Sequence, residues 1–227
     1  MEISAEKTKL MTNNTSGINT EIKVNGQKLE TVTSFKYLGS VITDEGSKPE
    51  ILSRIVQTTA ALTRLKPVWN DRSVSLSSKI RLTRSLVTSI FLYACESWTL
   101  TAELQRRIQA KEMRYHKILI LLHISYKDHV TNKEVRAKIQ QAIGSREDLL
   151  TMVKRSKLQW YGHASRSSGL AKTILQGTVK WGRRQGRQRK RWEDNIMEWT
   201  GLEFGKSQRK LVAESSVVPQ RPSWLRD

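Results

Sequence analysis

The chain has 227 residues, 37% of them hydrophobic, with 40 Lys+Arg against 21 Asp+Glu and a net charge of +19, giving a pI of about 10.3. That length fits one or two compact units, and such a cationic excess selects polyanionic partners, phosphate backbones foremost. The single cysteine, Cys95, excludes an internal disulfide and a cysteine-rich zinc site. The longest apolar stretches, Ile118–Leu122 and Ile90–Cys95, fall far short of the roughly 20 residues of a membrane span, and no membrane partner is expected.

Met1–Leu10 is polar and begins abruptly, like a segment of something longer, and is not a secretory signal. Asn25-Gly26 lies between Ile22-Lys23-Val24 and Gln27–Val32. It predicts a hairpin, because both turn positions of a tight hairpin need positive φ. Ser34–Thr43 (SFKYLGSVIT) reads as a further strand broken at Gly39, with Asp44–Gly46 a loop. From Lys48 the period becomes helical. Ile51, Ile55, Leu62 and Leu65 recur up to Pro67, and Asn70–Ser73 is a turn. Ser75 caps a helix whose apolar stripe is Leu76, Ile80, Leu82, Leu86, Val87, Ile90 and Phe91. Thr101 caps a third helix running to about Leu122, with Leu104 where a capping box would place Glu. Thr131–Ala142 and Arg146–Ser165 are two more helices, and Arg191–Thr200 is a short one with Trp192, Ile196 and Trp199 on one side. Glu214–Asp227 is aperiodic and reads as disordered tail.

No residue constellation predicts an enzyme. Two-metal phosphoryl transfer needs clustered carboxylates, and Asp44, Asp71, Asp128, Asp148, Asp194 and Asp227 are scattered. Glu147-Asp148 and Glu193-Asp194 are neighbours on predicted helices, where acids serve the first turn or a solvated face. His116, His123, His129 and His163 show no metal-ligand spacing. Neither a catalytic residue, a metal nor a cofactor is expected. The informative signal is basic. No Asp or Glu occurs between 151 and 191, while Lys157, Arg183, Arg184, Arg187, Arg189, Lys190 and Arg191 interleave with Trp160 and Trp181, and His163 ends Trp160-Tyr161-Gly162-His163. Guanidinium groups neutralise phosphates, and aromatic faces stack on unpaired bases. The bland reading of the same run is a solvated charge cluster or a nuclear-import patch. Lys7 and Lys9 by themselves are ordinary surface lysines that could also meet phosphate.

Several strings together resemble the carboxy-terminal half of LINE-type non-LTR retrotransposon endonuclease/reverse transcriptases. Lys7-Thr8-Lys9-Leu10-Met11 resembles the Lys-Thr-Lys strand after the catalytic Asp-Asp hairpin of the palm. Phe35-Lys36-Tyr37-Leu38-Gly39 resembles the primer-grip strand. Ile51–Leu65 and Ser77–Trp98 look like the helical thumb. Lys157–His163 and Gly186–Trp192 resemble the Arg-Arg-Leu-x-Trp-x-Gly-His and Gly-Arg-Pro-x-x-Arg-Trp strings downstream. The chain departs from the family in lacking the fingers, most of the palm and the catalytic aspartates, and at Ile118–Ile124, where extra apolar residues replace Leu-Gly-Ile-Ser.

The resemblance implies a palm remnant over 1–45, a thumb-like bundle over 46–125, a helical basic nucleic-acid-binding region over 126–204 and a tail over 205–227. The fold expected is α+β, predominantly α-helical. The implied ligands are RNA and DNA as a template–primer duplex, held by Lys7, Lys9, Phe35, Tyr37, Leu38 and Gly39 together with the basic and aromatic residues above. Mg²⁺ belongs to the intact family enzyme only. The basic run favours the nucleus over the cytoplasm, and oligomeric state is unreadable. A host-adopted nuclear interaction protein and a non-functional translated relic are the alternatives.

Overall fold

A computed structural model describes residue 4 and residues 8–11, 21–121, 130–145, 147–167 and 190–201. Six short strands come first: β1 (Lys9–Leu10), β2 (Lys23–Val24), β3 (Gln27–Lys28), β4 (Glu30–Thr31), β5 (Ser34–Tyr37) and β6 (Ser40–Thr43). They form three separate two-stranded ladders. β1 lies parallel to β4, and β2 is antiparallel to β3 around Asn25-Gly26, whose φ values of 51° and 79° are those the tight turn demands. Ser34–Thr43 is not one interrupted strand. It folds into the β5–β6 hairpin, with Tyr37 paired to Ser40 and the chain reversing at Leu38 (φ 48°) and Gly39 (φ 86°).

The helices follow. α1 (Lys48–Arg64) starts with proline in its first turn and buries Ile51, Arg54, Thr58 and Leu62. Pro67 does not end helical structure; it occupies the first turn of α2 (Lys66–Asn70), where a missing N–H costs nothing. Trp69 is buried and donates its indole N–H to the Leu62 carbonyl at 2.9 Å. Ser75 caps α3 (Leu76–Leu82) by accepting from the Ser78 N–H. α3 runs through a π-helical segment, Thr83–Thr88, into α4 (Ser89–Leu92). The wider π turn shifts the buried stripe. Ile80, Thr83, Val87 and Phe91 are buried, while Leu82 and Leu86, expected inside, are exposed. α5 (Ala102–Leu121) begins with Thr101 accepting from the Leu104 N–H at 3.3 Å.

α6 (Asn132–Ile143) carries a capping box between Thr131 and Glu134. α7 (Leu149–Arg166) begins three residues later than the periodicity predicts, because the Asp148 carboxylate caps it by accepting from the Thr151 N–H at 2.7 Å. α8 (Trp192–Thr200) ends at Gly201, φ 64°. The fold is α+β and predominantly helical. One buried cluster takes in Ile51, Trp69, Phe91, Trp98, Ile108, Tyr115 and Val153, with Trp199 packed against it. It is continuous across the 125/126 boundary drawn from the sequence. A smaller cluster joins Tyr161 and Ala164 of α7 to Ile196 of α8, with Trp192 beside it. Among the described residues no helix is long and apolar enough to cross a membrane.

Candidate nucleic-acid interface

α7 is amphipathic in an informative way. Its buried face presents Leu149, Leu150, Val153, Lys157, Tyr161 and Ala164. Its opposite face borders a groove of about 770 Å³, lined among others by Lys154, Arg155, Gln159, Trp160, His163 and Arg166. Positions 155, 159, 163 and 166 recur at helical spacing, so one stripe collects Arg155, Gln159, His163 and Arg166, with Lys154 and Trp160 flanking it. Arg155 also reaches back to Glu147, Nη1 to Oε2 2.6 Å. Trp160 and His163, both expected at the interface, meet in this groove. Arg155 and Arg166 join them, and their spacing was the signal that could have found them.

Trp160 remains 41% exposed. Its ring meets Trp192 in a T-shaped contact, centroids 5.3 Å apart and planes at 77°. Trp192 is itself fixed. Its indole N–H donates to the Glu96 carbonyl at 2.8 Å, and the Lys157 ammonium sits 4.4 Å from its ring centroid. Lys157, expected to contact nucleic acid, instead lies inside the protein. It is fully buried and holds the protein together from inside, where a phosphate cannot reach it. Its Nζ donates to the Trp98 carbonyl at 2.7 Å and to Asn195 Oδ1 at 3.0 Å. Asn195 completes the node by accepting from the Leu100 N–H at 2.7 Å and donating to the Leu100 carbonyl at 2.8 Å. Burial pushes the Lys157 ammonium down to about 7; Lys190 adds to this and Asp194 opposes it.

The other expected residues divide. Lys190 pairs with Glu198, and Arg191 sets the start of α8, its N–H donating to Asp194 Oδ2 at 2.6 Å. Both stand directly before Trp192 in the chain, and neither lines the α7 groove. Phe35, Tyr37, Leu38 and Gly39 lie elsewhere, on the β5–β6 hairpin. Phe35 is half-buried, and the tip is open, with Tyr37 58% and Leu38 74% exposed. The tip is held from below. Arg54 Nη2 donates to the Gly39 carbonyl at 2.8 Å, the Tyr93 hydroxyl donates to the Leu38 carbonyl, and Glu50 accepts from the Val41 N–H at 2.6 Å. Arg54 and Glu50 form a buried ion pair at 2.7 Å, and the Arg54 guanidinium lies 4.6 Å from the Tyr93 ring centroid. Sequence reasoning missed this support, although Glu50 and Arg54 stand four apart on one helix. Lys9 lies on β1, paired with Glu30. Lys7, Trp181, Arg183, Arg184, Arg187 and Arg189 lie outside the described residues, as does the 205–227 tail.

Three acids of the two adjacent pairs have structural partners. Asp148 caps α7 and Glu147 meets Arg155, while Asp194 serves the first turn of α8. Among the described residues no three His, Cys, Asp or Glu side chains gather where a metal ion could be held. Cys95 is buried, and burial raises its thiol to about 11, as fits a small core residue.

The chain is 23% identical over 232 residues to an uncharacterized transposon-derived protein of Caenorhabditis elegans, covering 99% of this chain and 81% of that protein. The likeness supports a transposon-related origin. No protein-family model and no solved structure matches the chain.

Proposed function

We propose that the chain is a nucleic-acid-holding carboxy-terminal part of a LINE-type reverse transcriptase, gripping RNA–DNA template–primer without the polymerase's catalytic carboxylates. The observation that carries this reading is the α7 groove, which is lined by Arg155, Trp160, His163 and Arg166 and opens a stretch, 151–191, that contains no acid. Backbone contacts of this kind hold a strand without reading its sequence. The exposed, firmly braced β5–β6 tip supports a second contact, at the strand that resembles a primer grip. The same basic stretch supports a nuclear location. The transposon-derived relative fits this descent.

Titration of the purified chain against labelled RNA–DNA hybrid, DNA duplex and single strands tests the proposal. Association that weakens steeply with salt is expected, as is no dNTP incorporation on a primed template with Mg²⁺. Absence of binding to every probe, or affinity indifferent to ionic strength, overturns the binding reading. Primer extension overturns the non-catalytic one.

A further inference from the structure

We infer that the α7 groove takes an unpaired nucleobase against the open face of Trp160, with the flanking phosphates on its cationic rim, so that its ligand is a single-stranded stretch and not a paired duplex. The inference rests on the nucleic-acid-binding reading above and narrows it.

Trp160 is a large indole left 41% exposed on a well-packed helix. A T-shaped contact covers at most one face of a ring, so the contact with Trp192 orients Trp160 and leaves a face open. The orientation is set before any ligand arrives. Trp192 is tied to the Glu96 carbonyl and braced by Lys157, which is in turn held by Trp98 and Asn195. Preorganisation of this kind lowers the ordering cost of binding. A free aromatic face is complementary to a base whose own faces are free, and in a duplex neighbouring pairs cover them.

Gly162 supplies an independent observation. It lies inside α7 and lines the same groove. It is not among the glycines with positive φ. A Cβ built there would meet nothing nearer than Arg166 Nη2 at 4.0 Å, ordinary van der Waals contact. The fold therefore has no steric need for glycine here, although glycine weakens a helix interior relative to alanine. What glycine does provide is close approach of a ligand to the helix backbone, beside the open indole. From Arg155 to Arg166 the helix advances about 16 Å, which spreads cationic groups along the strand on either side of the stacked base. Glu96 and Glu147 also line the groove, and Glu147 is met by Arg155; with Lys154 and Arg166 beside them the lining keeps a net positive charge.

The test uses the full chain with three probes of one sequence: a single strand carrying 2-aminopurine, the corresponding DNA duplex and the RNA–DNA hybrid. Quenching of 2-aminopurine on binding is expected. Trp160→Ala should weaken single-strand affinity about 5- to 100-fold and duplex affinity much less, while Trp160→Phe retains most of it. Gly162→Ala should raise the thermal midpoint and still weaken single-strand binding several-fold. Equal losses for single strand and duplex in Trp160→Ala, unchanged binding in Gly162→Ala, or a Trp160 indole shielded from acrylamide in the free protein would each overturn the inference while leaving the parent reading in place. Failure of the unaltered chain to bind any probe removes both.

Discussion

An ammonium group enclosed by carbonyls and indoles, as Lys157 is, ties stability to pH. An amine whose pKa is lower in the folded than in the unfolded state binds fewer protons when folded. The unfolded state then takes up more, and stability climbs as pH rises between the two values. For Lys157 that window opens at about 7 and extends toward the ordinary lysine value. Between pH 6 and 8.5 its contribution should grow by about 2 kcal/mol. Lys111, which burial pushes down to about 8 with help from Arg114, acts in the same direction at the upper end. The measurement is therefore a difference. Urea unfolding of the unaltered chain and of Lys157→Met at several pH values should show a shallower rise in the variant, by about that amount. Parallel curves would mean that Lys157 stays charged in the fold, held by Trp98, Asn195 and the indole faces. Its partner Asn195 is more costly to lose. Asn195→Ala strands the Leu100 N–H and carbonyl inside the protein and takes one acceptor from Lys157. A loss of about 3 kcal/mol is expected in the same unfolding assay, each unsatisfied buried group costing about 1–3 kcal/mol.

At the scale of elements, the β5–β6 hairpin holds a leucine in the left-handed region, Leu38 at φ 48°, with its side chain mostly in solvent. That conformation costs a residue bearing a Cβ about 1–2 kcal/mol, and here Arg54, Glu50 and Tyr93 enforce it. Leu38→Gly should therefore stabilise the protein by about 1 kcal/mol, measured by denaturant midpoint. If the tip grips primer, it should weaken hybrid binding in the same preparation. The turn was not legible in the sequence, because Leu38 carries no turn chemistry and only Gly39 hinted at a break. Asn25-Gly26 was legible, because its turn chemistry is local. The same distinction runs through the helices. Ser75 and Thr101 marked their starts because a cap is decided by the next three residues. The π segment was hidden because one extra residue per turn is chosen by packing. Thr83 can be buried in place of Leu82 since its hydroxyl donates to the Lys79 carbonyl at 2.9 Å. Lys157 was misread for a related reason. A lysine near arginines reads as surface, and only tertiary packing encloses it, with the Trp98 carbonyl on one side and Asn195, Trp192 and Trp199 of α8 on the other. Trp160 and His163 came together as read, because four residues of one helix need no tertiary information to be neighbours.

For the whole molecule, an excess of nineteen positive charges works against compactness and toward a polyanion. The described helices pair some of that charge internally, as Arg54 does with Glu50 and Arg155 with Glu147. The 151–191 stretch has no acid of its own; Arg155 and Lys190 pair with acids outside it and Lys157 is buried, so Arg183, Arg184, Arg187 and Arg189 supply the cations whose counterions a phosphate backbone would exchange. Each phosphate neutralised adds about −0.9 to the slope of log K against log salt on duplex and about −0.7 on single strands. Changing Arg183, Arg184, Arg187 and Arg189 together to Ala should weaken binding and flatten the slope by about 3.6 on duplex and about 2.8 on single strands if all four touch phosphate. The variant lowers the net charge by four, so self-repulsion cannot account for a loss of affinity. The same variant separates grip from import. A slope and affinity identical to the unaltered chain, combined with exclusion from the nucleus when expressed in cells, would assign the arginines to an import receptor and leave the α7 groove as the nucleic-acid contact. A flattened slope with nuclear localisation intact would assign them to the strand itself.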